Sequence, residues 1–139
     1  MSPADAAAIM SAAYQHQRSW RTDEIAATLA SPGVRLFSAG SAMLIARILG
    51  DEAEILALAT APDQQRSGAA SALIAEFHAT ARESGAHHAF LEVAALNAPA
   101  RALYAAHGYA ETGRRPRYYR LEDGRFDDAI VMQRALGEK

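Results

Sequence analysis

The chain has 139 residues, half of them apolar and 22% charged, with a formal net charge of −2 and no cysteine. Those figures predict one soluble globular domain over 1–139 with a core of its own. They exclude a disulfide framework, a thiol nucleophile and a cysteine-ligated zinc site, and give no global charge drive toward nucleic acid or an anionic membrane. The opening Met1-Ser2-Pro3-Ala4-Asp5 lacks the basic stretch and apolar run of a signal peptide, and no apolar run approaches bilayer length. The expected location is the cytoplasm, with no membrane partner.

In chain order, residues 4–16 read as a helix with Ile9, Ala12, Ala13 and His16 at helical spacing. Thr22 is placed to cap a second short helix, with Asp23 and Glu24 in its first turn, Ile25 and Leu29 on one face, and Ser31-Pro32-Gly33 as its stop. Three extended segments follow, Val34–Ala39, Ala42–Leu49 and Ala53–Thr60, joined at Gly40-Ser41 and Gly50-Asp51-Glu52 as an antiparallel meander. A helix over roughly Gly68–Ser84 puts Ala70, Leu73, Ile74, Phe77 and Ala81 on one stripe and stops at Gly85. Next come a strand at Ala89–Ala94 and a helix at Ala98–His107, with Asn97 before it as an N-cap and Gly108 after it. Tyr109–Arg114 and Asp128–Arg134 read as two last strands joined by a polar, aromatic connection. The order is ααβββαβαββ, an α/β chain (α+β with a mixed sheet) whose helices pack on the sheet.

The most informative stretch is Gln65-Arg66-Ser67-Gly68-Ala69-Ala70, a small-residue turn between the third strand and a helix start. Small side chains let backbone approach a ligand, and a helix's first turn carries unpaired N–H groups at its positive end. Such a turn suits a pyrophosphate. It lies after three antiparallel strands, which argues against a dinucleotide-binding Rossmann unit, and no Gly-Lys-Ser/Thr follows it, which argues against a P-loop.

Gln65-x-x-Gly68-x-Ala70 after a strand resembles the acyl-CoA signature of the GCN5-related N-acetyltransferase (GNAT) superfamily, Gln/Arg-x-x-Gly-x-Gly/Ala. The element order matches the GNAT acyl-CoA N-acyltransferase fold over nearly the whole chain. A narrower resemblance lies in Phe90-Leu91-Glu92-Val93, Asn97, Ala102-Leu103-Tyr104, Gly108-Tyr109, Arg114–Tyr119 and Asp128–Met132. These segments look like bacterial ribosomal-protein-alanine N-acetyltransferases of the RimI type, which acetylate the N-terminal amine of a small-subunit ribosomal protein. The resemblance implies acetyl-CoA as cosubstrate, no metal, and a protein or peptide N-terminus as partner. Residue by residue, it implies that Leu58, Ala59 and Thr60 offer backbone to the pantetheine arm and the acetyl carbonyl. Arg66, Ser67, Gly68, Ala69, Ala70 and Ser71 would wrap the pyrophosphate, and Asn97 would bind the coenzyme. Glu92 would be the general base, Tyr104 the general acid, and Tyr118 and Tyr119 would close over the acceptor. The sequence departs from the RimI type at Ala94 and Leu96, where arginine and serine are usual, so a cation beside Glu92 is expected to be missing.

Each of these residues also has an ordinary reading. Glu92 alternates with apolar neighbours and could be a solvent-facing strand carboxylate; Tyr104 could be a half-buried aromatic; Asn97 could be an N-cap alone. Asn97 and Tyr104 are seven positions apart, on one helix face, and can reach one ligand. Arg114–Arg120 reads as a solvated hairpin connection before it reads as an RNA contact, so no direct nucleic-acid partner is expected. Trp20 is either a core anchor or a wall of the acceptor pocket. His16, His78, His87, His88 and His107 have no metal-ligand spacing, and neighbours such as His87-His88 would point to opposite faces of a strand. Two other functions remain open on the same residues: acetylation of a small-molecule amine or polyamine, and a non-catalytic acyl-CoA-binding module.

Overall fold

The computed structural model describes residues 1–14, 18–65 and 67–137. The elements are α1 (Pro3–Ala13), α2 (Thr22–Leu29), β1 (Val34–Ala39), β2 (Ala42–Leu49), β3 (Glu52–Thr60), α3 (Ala69–Glu83), β4 (His88–Ala94), α4 (Ala98–Ala106), β5 (Ala110–Arg120) and β6 (Phe126–Ala135), with a 3-10 turn at Pro62–Gln64. The six strands form one sheet in the order β1-β2-β3-β4-β6-β5. Among the described residues only β3 and β4 run parallel; the other neighbours are antiparallel. The ααβββαβαββ order and the mixed sheet are those expected.

Alternation along the strands splits the core into two layers. Leu44, Ala46, Ile55, Leu91, Val93, Ile130 and Met132 meet Leu73, Ile74, Phe77 and Ala81 of α3 and Tyr104 of α4 on one face. Met43, Ile45, Ala57 and Ala59 meet Ala6 and Met10 of α1 and Ile25 of α2 on the other. Trp20 packs against this second cluster, which favours its core-anchor reading. The α3 stripe is as read from its period, except that Ala70 is half-buried and His78 is buried.

Strand β3 changes face partway. Ala46 pairs with Ile55 while Ile45 pairs with Ala57, so Leu56 is an extra residue, a β-bulge. Before it Ala53 and Ile55 join the α3 layer; after it Ala57 and Ala59 join the α1–α2 layer. Pairing of β3 with β4 ends at the same place, running only from Glu52↔His88 to Ile55↔Leu91. Beyond it the two parallel strands separate, β3 continuing to Thr60 and β4 to Ala94. Their facing edges carry backbone groups that neither strand supplies to the other.

Four local expectations are corrected. The first helix ends at Ala13, with Tyr14 already extended, and its buried positions are Ala6 and Met10 rather than a stripe through Ala12; His16 lies outside the described residues. The N-cap of α2 is Arg21, not Thr22, and Glu24 Oε1 accepts from the Arg21 N–H at 2.9 Å. Tyr109 precedes β5 and is buried in the core. The polar connection over 115–127 is mostly strand: β5 runs to Arg120 and β6 starts at Phe126. Its period is hidden by a further bulge, because Arg115 pairs with Ala129 and Tyr119 with Asp127, leaving Pro116-Arg117-Tyr118 opposite Asp128 alone. Arg117 takes φ +54° there and its N–H donates to Asp128 Oδ1 at 2.9 Å.

Candidate active site

The separation of β3 and β4 opens a cavity of about 500 Å³. Its walls are Ile55–Thr60 of β3, Glu92–Ala94 of β4, Gly68–Ser71 at the start of α3, and Asn97, Ala100, Leu103 and Tyr104 around α4, with Ala13 and Tyr14 from the end of α1. Of the residues singled out in the sequence, it gathers Leu58, Ala59, Thr60, Gly68, Ala69, Ala70, Ser71, Glu92, Asn97 and Tyr104. Ser67 does not line it, although its Oγ accepts from the Ala69 N–H at 3.4 Å. Arg66 lies outside the described residues. Tyr118 and Tyr119 stand apart from the cavity wall on β5.

The α3 end is built for an anion. Gly68 is its N-cap at φ +88°, a conformation that L side chains rarely adopt, and the space a Cβ would enter is open. No acidic residue occupies the first turn, so the positive end of a 15-residue helix is not offset there. The turn leading to it is pinned at two glutamines. Gln64 Oε1 accepts from the Ser41 N–H at 2.7 Å, tying the turn to the β1–β2 hairpin, and Gln65 Nε2 donates to the Thr60 carbonyl at 3.2 Å. A side chain at Gly40, where φ is +57°, would put its Cβ 2.7 Å from Gln64 Oε1. Ser71 Oγ lies 3.0 Å from His107 Nε2, which joins α3 to the end of α4.

Asn97 caps α4, its Oδ1 accepting from the Ala100 N–H at 3.3 Å, while the residue also lines the cavity. The loop carrying it is held from β6: the Leu96 N–H donates to buried Asp127 Oδ2 at 3.0 Å, and the Ala95 N–H to the Asp128 carbonyl at 2.9 Å. Two turns along α4, Tyr104 is buried, its ring edge-to-face with Tyr109 at 6.0 Å. Burial raises its pKa well above the ordinary phenol value, and Tyr14, Tyr109 and Tyr119 push the same way, so Tyr104 keeps its proton. Tyr14 is held protonated for the same reason, with the Leu58 backbone partly opposing.

Glu92 lies on the face opposite Leu91 and Val93, half-buried, and it does not lack a cation. Arg115 Nη2 reaches in from β5 to 3.0 Å from Glu92 Oε1. Arg115 lies over the Tyr118 ring at 5.4 Å, and Tyr118 packs edge-to-face on Tyr119 at 5.0 Å. Burial, then the charge of Glu92, push the Tyr119 phenol up to about 12. Glu54 of β3 shares this face; burial raises its pKa, with Glu92 adding to the rise and Arg47, 3.7 Å away, opposing it. Sequence reading missed Tyr14, Gln64 and the Glu92–Arg115 pair. The first two carry no local signal, and the last spans 23 residues and an unrecognised bulge. Among the described residues no cluster of His, Asp or Glu could hold a metal ion, and no helix is long and apolar enough to cross a membrane.

A sheet splayed between two parallel strands, with a helix N-terminus at the mouth of the gap, is the architecture of acyl-CoA-dependent acetyltransferases. The model of the acetyltransferase (GNAT) family matches residues 10–109, and the chain belongs to that family. It is similar to the ribosomal protein bS18-alanine N-acetyltransferase of Escherichia coli K12, with 39% identity over 92 residues. That match covers 66% of this chain and 62% of the relative, so the aligned part spans less than two thirds of the curated relative. The fold superposes on the crystal structure of the ribosomal-protein-S18-alanine N-acetyltransferase from Escherichia coli with a TM-score of 0.86 and 30% identity, covering 99% of this chain and 89% of that one. It also shares the fold of yncA from Salmonella typhimurium, solved with its cofactor acetyl-CoA, at a TM-score of 0.74 and 21% identity over 100% of this chain and 92% of that one.

Proposed function

We propose that this chain moves an acetyl group from acetyl-CoA to the N-terminal α-amine of a protein, with the N-terminal alanine of a small-subunit ribosomal protein as the leading acceptor. The observation that carries the reading is one cavity that joins an anion-binding helix start, a free strand edge, a carboxylate and a protonated tyrosine. The likeness to the ribosomal protein bS18-alanine enzymes supports the acceptor.

In this reading the pyrophosphate lies against the N–H groups of Gly68–Ser71, with Ser67 beside it, and Asn97 meets the pantetheine arm. The Leu58–Thr60 edge binds that arm as an added strand would, and one of its N–H groups faces the thioester carbonyl where the oxyanion develops. An α-ammonium, with a pKa near ~7.7–8.0, must lose a proton before it attacks. Glu92 takes that proton directly or through one water. The nitrogen lone pair forms a bond to the carbonyl carbon, the carbon–sulfur bond breaks, and Tyr104 gives its proton to the departing sulfur. Glu92 passes the first proton to solvent and then takes the nitrogen's remaining extra proton by the same route, while Tyr104 is reprotonated from solvent, so one proton is released per acetyl group moved. No covalent enzyme intermediate is involved. Tyr118 and Tyr119 cover the acceptor chain.

The paired carboxylates Glu54 and Glu92 on one face also suit a small polyamine. Competition between an alanine-terminal peptide and spermidine for limiting enzyme separates the two. Preference for the peptide in kcat/KM supports the proposal, and preference for the polyamine rejects it.

A further inference from the structure

We propose that Arg115 is a positioning residue for deprotonation of the acceptor: held on one oxygen of Glu92, its charge disfavours the ammonium form of an amine brought to that carboxylate. The inference rests on the acetyl transfer proposed above. Its starting point is the balance of charge on the sheet face beside the cavity. From β3, Glu54 faces Glu92, with Arg47 of β2 beyond it at 3.7 Å. From β5 come Arg115 and Tyr119, and from β6 Asp127, whose charge is felt at Tyr119. Without Arg115, an amine at this spot would meet three carboxylates against one distant arginine. Such surroundings would stabilise the ammonium and bind it tightly in the form that cannot attack.

Arg115 corrects that balance and is placed to do so without blocking the base. Its Nη2 lies 3.0 Å from Glu92 Oε1 while Glu92 still lines the cavity, where the carboxylate can meet the acceptor's amine. The backbone fixes which face it uses, because Arg115 pairs with Ala129 just before the bulge. The Tyr118 ring, 5.4 Å from the guanidinium carbon, supports it by a cation–π contact. The Arg115 side chain is 58% exposed, so the pair contributes little to stability and its loss leaves the fold intact. What it changes is the field at the amine. The nitrogen–proton bond breaks toward Glu92 and the electron pair stays on nitrogen; once Glu92 hands the proton to solvent and its pair with Arg115 is restored, the positive neighbour holds the amine in its free form.

The test is the pH profile of kcat, with the peptide KM read alongside, for an alanine-terminal peptide at saturating acetyl-CoA, from pH 6 to 9.5, for wild type, Arg115→Gln and Arg115→Lys. Arg115→Gln is expected to move the acid limb upward by about half to one pH unit, a loss of about three- to ten-fold at pH 7 that disappears by pH 9. The loss falls on kcat, while the peptide KM at pH 7 stays level or drops, and Arg115→Lys restores most of the wild-type profile. An equal loss at every pH, a loss confined to KM, or an unchanged profile overturns the inference while leaving the acetyl transfer standing. Wild-type protein that acetylates no amine at any pH overturns both.

Discussion

His78 makes this fold sensitive to mild acid. The imidazole is 4% exposed, its Nε2 lies 2.8 Å from the Tyr109 hydroxyl, and its ring packs among Phe77, His107 and Tyr109. Burial first, then the charges of Arg134, His107 and Arg82, push its pKa from 6.5 down to about 4. The unfolded chain therefore takes up this proton before the folded one does. The full contribution to stability is present above pH 6.5 and is lost as pH falls toward 4. Linkage between those two values gives a loss of about 2 kcal/mol between pH 7 and pH 5, or a fall in Tm of about 6 °C for a chain of this size. His107, lowered by its burial and by Arg134, acts in the same direction. Thermal melts at pH 7, 6 and 5 at constant ionic strength read the effect, since ordinary carboxylates titrate mostly below this window. His78→Gln keeps a partner for Tyr109 and has no proton to gain, so its Tm should move by less than half as much. A wild-type Tm that is flat from pH 7 to 5, or a glutamine variant that falls equally, refutes the argument.

Tyr104→Phe should lower kcat by roughly 10²-fold with little change in acetyl-CoA Kd, as expected for a residue that acts as the sulfur leaves; steady-state kinetics and calorimetry check both halves. Glu92→Gln should depress the rate most at low pH, where little amine is already free, and the ratio to wild type across a pH series reads this. Gly68→Ala meets no neighbour but forces φ +88° on an alanine, so it should cost about 1–2 kcal/mol in denaturant melts and raise the KM for acetyl-CoA. Asn97→Ala should lose the α4 cap, about 1 kcal/mol. Asn97→Asp should restore the cap but not the coenzyme affinity, which separates the two roles of the side chain.

The elements that could be read from the sequence are those whose signals are local. The α3 stripe, the turn at Gly68 and the Asn97 cap each depend on neighbours a few positions apart, and the element order follows from them. The first helix ends at Ala13, short of the expected residue 16, and turns a different face to the core, because its alanines carry almost no face preference; Ala12 is exposed while Ala6 and Met10 are buried. The β5–β6 hairpin was cut short because Pro116-Arg117-Tyr118 breaks the alternation that marks a strand. The same bulge hid the partner of Glu92. The departure at Ala94 predicts a base without a cation, and the fold supplies one from another strand. The splay itself depends on the Leu56 bulge and on where β4 stops pairing, a tertiary fact with no counterpart in the run Ile55–Thr60.

The most direct measurement is mass spectrometry of an acetyl-CoA reaction with a peptide beginning Ala-Arg, beside the same peptide with its α-amine blocked. The account predicts one added acetyl group on the free peptide alone, lost in Tyr104→Phe and Glu92→Gln. Equal modification of both peptides would move the chemistry to side-chain amines. No acetyl gain on either, from protein that binds acetyl-CoA, would contradict the account.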